Sequence, residues 1–172
     1  MSRSRFIVIA LAVAAVLLTL AEPARAQDRS ISVSSGLFNF DLSGTGNAAL
    51  VAASLDCRAF GNWVVEGGVT FAFPSQQFGD RTTFVIPEGA LFHQWTRGMV
   101  VTFAGGGIGA AIDFRDDEFG GTETDLALFG GGGVRVNLSD SVGILGELRL
   151  RGFGTNFAGS ATEIRGGASF RF

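Results

Sequence analysis

Lysine and tyrosine are absent from the 172 residues, and cysteine and histidine occur once each, as Cys57 and His93. A lone cysteine forms no internal disulfide, so the fold must hold without one. With no lysine, all 13 basic residues are arginines, set against 16 acids for a net charge of −3. No basic stripe runs along the chain, which excludes the electrostatic footprint of a nucleic-acid-binding protein. Long amphipathic helices are missing too. After Ala26, no segment keeps a helical apolar period over three turns.

What is present begins with a leader. Arg3 and Arg5 precede an apolar run from Phe6 to Ala21, and Ala24-Arg25-Ala26 follows. A basic start, a short apolar centre and small residues at −3 and −1 predict an export signal peptide over 1–26, cleaved after Ala26. The run is shorter than the ~20 residues a spanning helix needs. The mature chain, 27–172, is one domain's worth. Cleavage removes three arginines and one acid, leaving ten arginines against fifteen acids, a net charge of −5. All 26 glycines and 16 of the 17 phenylalanines fall in this part.

The period that recurs is two. Val142, Ile144, Gly146, Leu148 and Leu150 oppose Gly143, Leu145, Glu147, Arg149 and Arg151. Ile164, Gly166, Ala168, Phe170 and Phe172 oppose Glu163, Arg165, Gly167, Ser169 and Arg171. Trp63 to Phe73 alternates in the same way. These are two-faced strands. Breaks at Gly, Asn, Asp, Ser and Pro predict eight, near 30–40, 48–60, 62–73, 83–94, 99–113, 124–138, 141–153 and 162–172. The register is least clear in the first, fourth and fifth. Connections of about 7 to 11 residues alternate with short ones at Gly61-Asn62, Thr96 to Gly98 and Ser139-Asp140. The pattern reads as an all-β, antiparallel up-and-down barrel of eight strands.

Alternation alone leaves the inside face open. A soluble carrier barrel of the lipocalin kind turns its apolar face inward, and a membrane barrel turns it outward. The apolar faces here are almost free of charge over a full strand, and the strands have the length a tilted membrane crossing requires. The membrane orientation therefore places Glu66, Arg135, Glu147, Arg149, Arg151, Glu163, Arg165 and Arg171 in the lumen. There they pair as a closed plug rather than line an ion path, because eight strands leave room only for side chains. Cys57, on a face with Leu55 and Ala59, reads as a small lipid-facing residue.

With its leader, eight strands and ending GASFRF, the sequence resembles the small outer-membrane β-barrel proteins of Gram-negative bacteria, the group that includes the OmpA transmembrane domain and OmpX. NFDLSGTGNAALVAASLDCRAFGNWVVEGGV resembles the second and third strands of that group around a short turn. The resemblance implies an outer-membrane location, contact with outer-membrane lipid and lipopolysaccharide, and a monomer. It also implies handling by periplasmic chaperones and the barrel-assembly machinery. Ile164, Ala168, Phe170 and Phe172 match the final-strand signal that this machinery reads.

No motif argues strongly for catalysis. Gly105, Gly107 and Ala110 match a dinucleotide-loop spacing, but IDFRDDEFGG follows where a helix is needed. Glycines 105–109 and 130–133 instead relieve crowding in a narrow barrel. His93 would serve a lipid A-modifying enzyme only with a nucleophile and an acid in reach. The stretch ELRLRGFGTNF, where the deacylase pattern places His and Ser, holds neither. Beside Trp95, His93 reads as an interfacial residue. Asp113, Asp116, Asp117, Glu118, Glu123 and Asp125 lack the order of an EF-hand and read as a solvated loop. The sequence therefore predicts a non-enzymatic envelope protein without cofactor or metal. A lipid A-modifying enzyme using His93, a narrow pore and a soluble lipocalin-like carrier remain the other readings.

Overall fold

The computed structural model describes residues 29–40, 45–76, 82–115, 122–154 and 159–172. The leader lies outside the described residues, as do Asp116, Asp117 and Glu118. The eight strands are β1 (Arg29–Phe40), β2 (Thr45–Phe60), β3 (Trp63–Gln76), β4 (Thr82–Arg97), β5 (Val100–Arg115), β6 (Thr122–Asn137), β7 (Val142–Phe153) and β8 (Gly159–Arg171). Each pairs antiparallel with its neighbour. β1 also pairs with β8, from Ser30↔Arg171 to Phe40↔Ala161, which closes the barrel. Closure leaves no strand edge unpaired.

Most strands, 12 to 16 residues long, run further than the sequence pattern indicated, β7 being the exception. Main-chain pairing needs no apolar side chain, so it continues through polar residues such as Thr96 and Arg97. The spans left between strands at one end are correspondingly short: 41–44, 77–81, 116–121 and 154–158. The expected 7- to 11-residue loops shrink to these. At the other end, Gly61-Asn62 and Gly98-Met99 make two-residue turns, and 138–141 makes a third connection. Gly61 and Gly98 have φ of 53° and 60°, which tight hairpins demand and glycine alone meets cheaply. Arg29, the first residue of β1, and Arg171, the last of β8, lie at this turn end.

Pro87 lies inside β4, a strand whose register was obscure in the sequence. It stays paired to Val69 of β3, but the ladder to β5 skips from Val85↔Ile112 to Glu88↔Gly109. Proline has no N–H to give, so the interruption falls where it sits.

The two faces invert the usual arrangement. Large apolar side chains from all eight strands are exposed, among them Leu37, Val51, Phe73, Leu91, Ile108, Leu126, Leu150 and Ile164. Among the largest fully buried side chains are Arg149 and Arg151.

Candidate functional site

The lumen has three zones along its axis. At the loop end, β1 sends Phe38 and Phe40 inward, where their rings meet at 4.5 Å. Phe84 of β4 lies 5.6 Å from Phe40, and Phe153 of β7 lies 6.2 Å from Phe38. Leu50 and Ile86 fill the gaps, and Ala48, Ala72, Ala111, Ala127 and Ala161 line the facing strands. Large rings against alanines suit the width of a narrow cylinder. This end is an apolar plug.

Below the plug, charge replaces carbon. The Arg149 guanidinium donates through Nε to Glu147, through Nη1 to Glu88 and through Nη2 to Glu66, each at 2.6 Å. Arg151 donates to Glu163 at 2.5 Å and to Glu88 at 2.7 Å. Arg165 pairs with Glu163 and lies 3.5 Å from Glu88. Thr70 adds a weak hydroxyl bond to Glu88 at 3.4 Å. The Phe129 ring stands 4.4 Å from the Arg149 guanidinium and 4.8 Å from that of Arg151, so its π face meets both cations. Glycine makes the space. A Cβ on Gly131, which pairs with Arg149 across β6 and β7, would lie 3.0 Å from the Arg149 Cγ and 2.5 Å from the Leu148 oxygen.

The register places Glu147 opposite Arg165 and Arg149 opposite Glu163. Even so, the short bonds run elsewhere. Glu147 to Arg165 is 4.0 Å, the longest contact in the group. Arg149 instead reaches across the lumen to β3 and β4, because side chains in so narrow a barrel meet at the axis.

The sequence reading missed several charged interior groups. Asp113, expected in a solvated loop, is buried within β5. Arg29 and Arg58 line a cavity at the turn end, and Glu88 and Asp56 lie among the predicted set. Glu88 touches all three central arginines and is their common acceptor. Asp56 is bonded by Ser30 at 3.1 Å and lies 3.6 Å from Arg135. The parity of β2 could have revealed Asp56, since Cys57 with Leu55 and Ala59 occupies the opposite face. Glu88 gave a weaker signal, as a single acid between Ile86 and Ala90.

Arg135 and Arg171 do not join the central group. They line a third zone, a cavity of about 470 Å³ at the turn end, with Arg29, Arg58, Asp56 and Asp140. Arg135 reaches Gln94 at 3.5 Å, and Arg171 donates to Asn137 at 3.2 Å. Between this cavity and the centre, the free space is only about 40 Å³.

The remaining candidates lie outside the lumen. Ile164, Phe170 and Phe172 are exposed, and Ala168 shares their outward parity. The Phe172 N–H donates to the Arg29 carbonyl at 3.1 Å. His93 is wedged between two indoles on the outward face, 5.0 Å from Trp63 and 4.5 Å from Trp95 between ring centres. Among the described residues, no group of three or more His, Cys, Asp or Glu could hold a metal ion. At Gly107, in the dinucleotide-like run, a Cβ would come within 2.6 Å of the Phe129 ring, so crowding accounts for that glycine.

No family model and no curated protein matches the chain. Solved structures do. Neisserial surface protein A matches with a TM-score of 0.73 at 11% identity, over 84% of this chain and 97% of that one. A major outer membrane protein of Thermus thermophilus matches at 0.58 and 13%, over 84% and 98%. Ail, the attachment invasion locus protein of Yersinia pestis, matches at 0.56 and 14%, over 85% and 99%. The shared property is the closed eight-stranded barrel.

Proposed function

We propose that the chain is an integral outer-membrane barrel and a non-catalytic structural element of the envelope, with its lumen shut. The observation that carries this reading is the inversion of polarity: an apolar outer belt around buried Arg–Glu pairs. In water such a belt would cost about 25 cal/mol per Å², and soluble monomers rarely expose more than a few hundred Å² in one patch. In a bilayer the same belt is the solvated surface, and the closed sheet pairs each strand along both edges. About 9–11 residues suffice for a tilted strand to cross, so strands of 12 or more project beyond the lipid. Two of the matched structures, a surface protein and a major outer membrane protein, accord with this location.

Residues 1–26 act as the export signal, cleaved after Ala26, and 27–172 form the mature barrel, a monomer with both ends on the periplasmic side. Outer-membrane lipid and lipopolysaccharide surround it. Glu66, Arg135, Glu147, Arg149, Arg151, Glu163, Arg165 and Arg171 serve as its interior ion-pair set, with Glu88 as the hub of the central group. The Phe plug above the central pairs favours a closed lumen over a pore. Trp63, His93 and Trp95 form part of the aromatic girdle at the periplasmic interface.

Membrane fractionation and heat-dependent gel mobility test the location. The protein should partition with outer membranes and migrate faster unheated; a species soluble without detergent overturns the proposal. Planar-bilayer recording should find no discrete conductance. Ile164, Ala168, Phe170 and Phe172 are proposed as the signal read by periplasmic chaperones and the assembly machinery. Deleting Phe172 should lower the inserted amount far more than deleting Gln27, and equal effects would refute that role.

A further inference from the structure

The turn-end cavity differs from the rest of the interior in charge and in the length of the contacts that hold Arg135, 3.5 Å or more against 2.5–2.7 Å for Arg149 and Arg151. Its lining carries Arg29, Arg58, Arg135 and Arg171 against Asp56 and Asp140, a surplus of two positive charges among the described residues. At about 470 Å³ it is within the usual range of small-ligand sites. Arg135 is held loosely. Its contacts to Asp56 and Gln94 are 3.6 and 3.5 Å, both at the outer limit for such bonds, and its buried Nε has no acceptor among the described residues. A Cβ at Gly143 would lie 3.3 Å from both the Arg135 Cγ and the Asn137 oxygen, so this glycine lets the Arg135 stem and Asn137, the partner of Arg171, share one corner.

We infer that this cavity is a binding site for a small phosphate-bearing anion, held by Arg135 and Arg171. A guanidinium offers paired N–H donors whose spacing matches two phosphate oxygens, and such bonds are about twice as strong as neutral ones. Ser30, Gln94 and Asn137 supply further polar contacts around the rim. The anion comes from solution, because the cavity opens at the end of the lumen and not on the outward face. Asp56 keeps Arg135 in place in the empty site and limits the affinity.

The test is calorimetric titration of inorganic phosphate into the protein purified from envelopes in a nonionic maltoside, since phosphocholine detergents carry the ligand's own chemistry. Binding should be saturable, should weaken with added sodium chloride, and should fall about tenfold or more in Arg135→Gln. Arg171→Gln, at the rim, should also weaken it and serves if the first variant does not fold by gel mobility. No saturable heat with the unaltered protein overturns the inference. Binding that both variants leave unchanged overturns it as well. Neither result touches the membrane location, which fractionation decides separately.

Discussion

Arg149 and Arg135 are one side-chain type in one lumen, yet they are held quite differently. Arg149 makes three bonds of 2.6 Å to three carboxylates, while Arg135 has two contacts of 3.5 Å or more and a buried Nε without an acceptor among the described residues. The cause is access to solvent. The Phe plug closes the centre from above, and almost no free space connects it to the cavity below. A charge sealed there must find its partners in the protein, because an unpaired one costs several kcal/mol. At the turn end the Arg135 side chain is 11% exposed, against 1% for Arg149, so water in the cavity can share the open part of its guanidinium. The sealed zone is therefore committed to its geometry, and the open zone keeps spare capacity.

The largest effect should come from breaking the sealed zone. Arg149→Gln leaves Glu66, Glu88 and Glu147 without their shared cation in a dry site, and should destabilise the barrel by about 3–5 kcal/mol. Urea unfolding followed by the fluorescence of Trp63 and Trp95 measures it. A loss below about 1 kcal/mol would mean that water enters the centre and that the two zones do not differ in kind.

This contrast was only half legible in the sequence. In β7 and β8 the interior is charged and the exterior apolar, so parity alone sorts Glu147, Arg149, Glu163 and Arg165 from Leu148 and Ile164. At the loop end the interior is apolar as well. Phe38 and Phe40 point inward beside an outward Leu37, and Ile86 inward beside Val85, so the alternation cancels and the plug leaves no mark. The obscure registers of the first and fourth strands have this origin. Glu88 was hidden for a related reason, as one acid on a face otherwise built of Phe84, Ile86, Ala90 and Phe92. That it bonds Arg149, 61 residues later, depends on barrel curvature and not on any local pattern.

A smaller effect tests the space on which the sealed zone depends. Gly131→Ala would push a methyl into the Arg149 stem and the Leu148 carbonyl, and relief requires moving two paired strands. Overpacking of this sort typically costs about 1–3 kcal/mol. Combined with Arg149→Gln, the two losses should fall short of their sum, since both act on one side chain. Full additivity would separate the glycine from the ion network. Arg135→Gln belongs lower on the scale. It removes two long contacts while keeping a donor for Asp56, and should cost no more than about 1 kcal/mol in the same unfolding assay. A loss as large as that of Arg149→Gln would show that the turn end is as dry as the centre.

The least disruptive change sharpens the comparison from outside the lumen. Gly146 lies on the outward face of β7, and a Cβ there would meet nothing within 4 Å. Gly131, one strand away, faces inward and has no such room. The same chemical change at the two positions thus separates packing from backbone freedom. Gly146→Ala restricts the unfolded chain and adds an apolar group to the apolar belt, so it should leave stability unchanged or raise it by up to about 1 kcal/mol. The unfolding midpoint should therefore move in opposite directions for Gly131→Ala and Gly146→Ala. A destabilised Gly146→Ala would mean that the outward glycines are also under steric demand, against some surface the barrel alone does not supply.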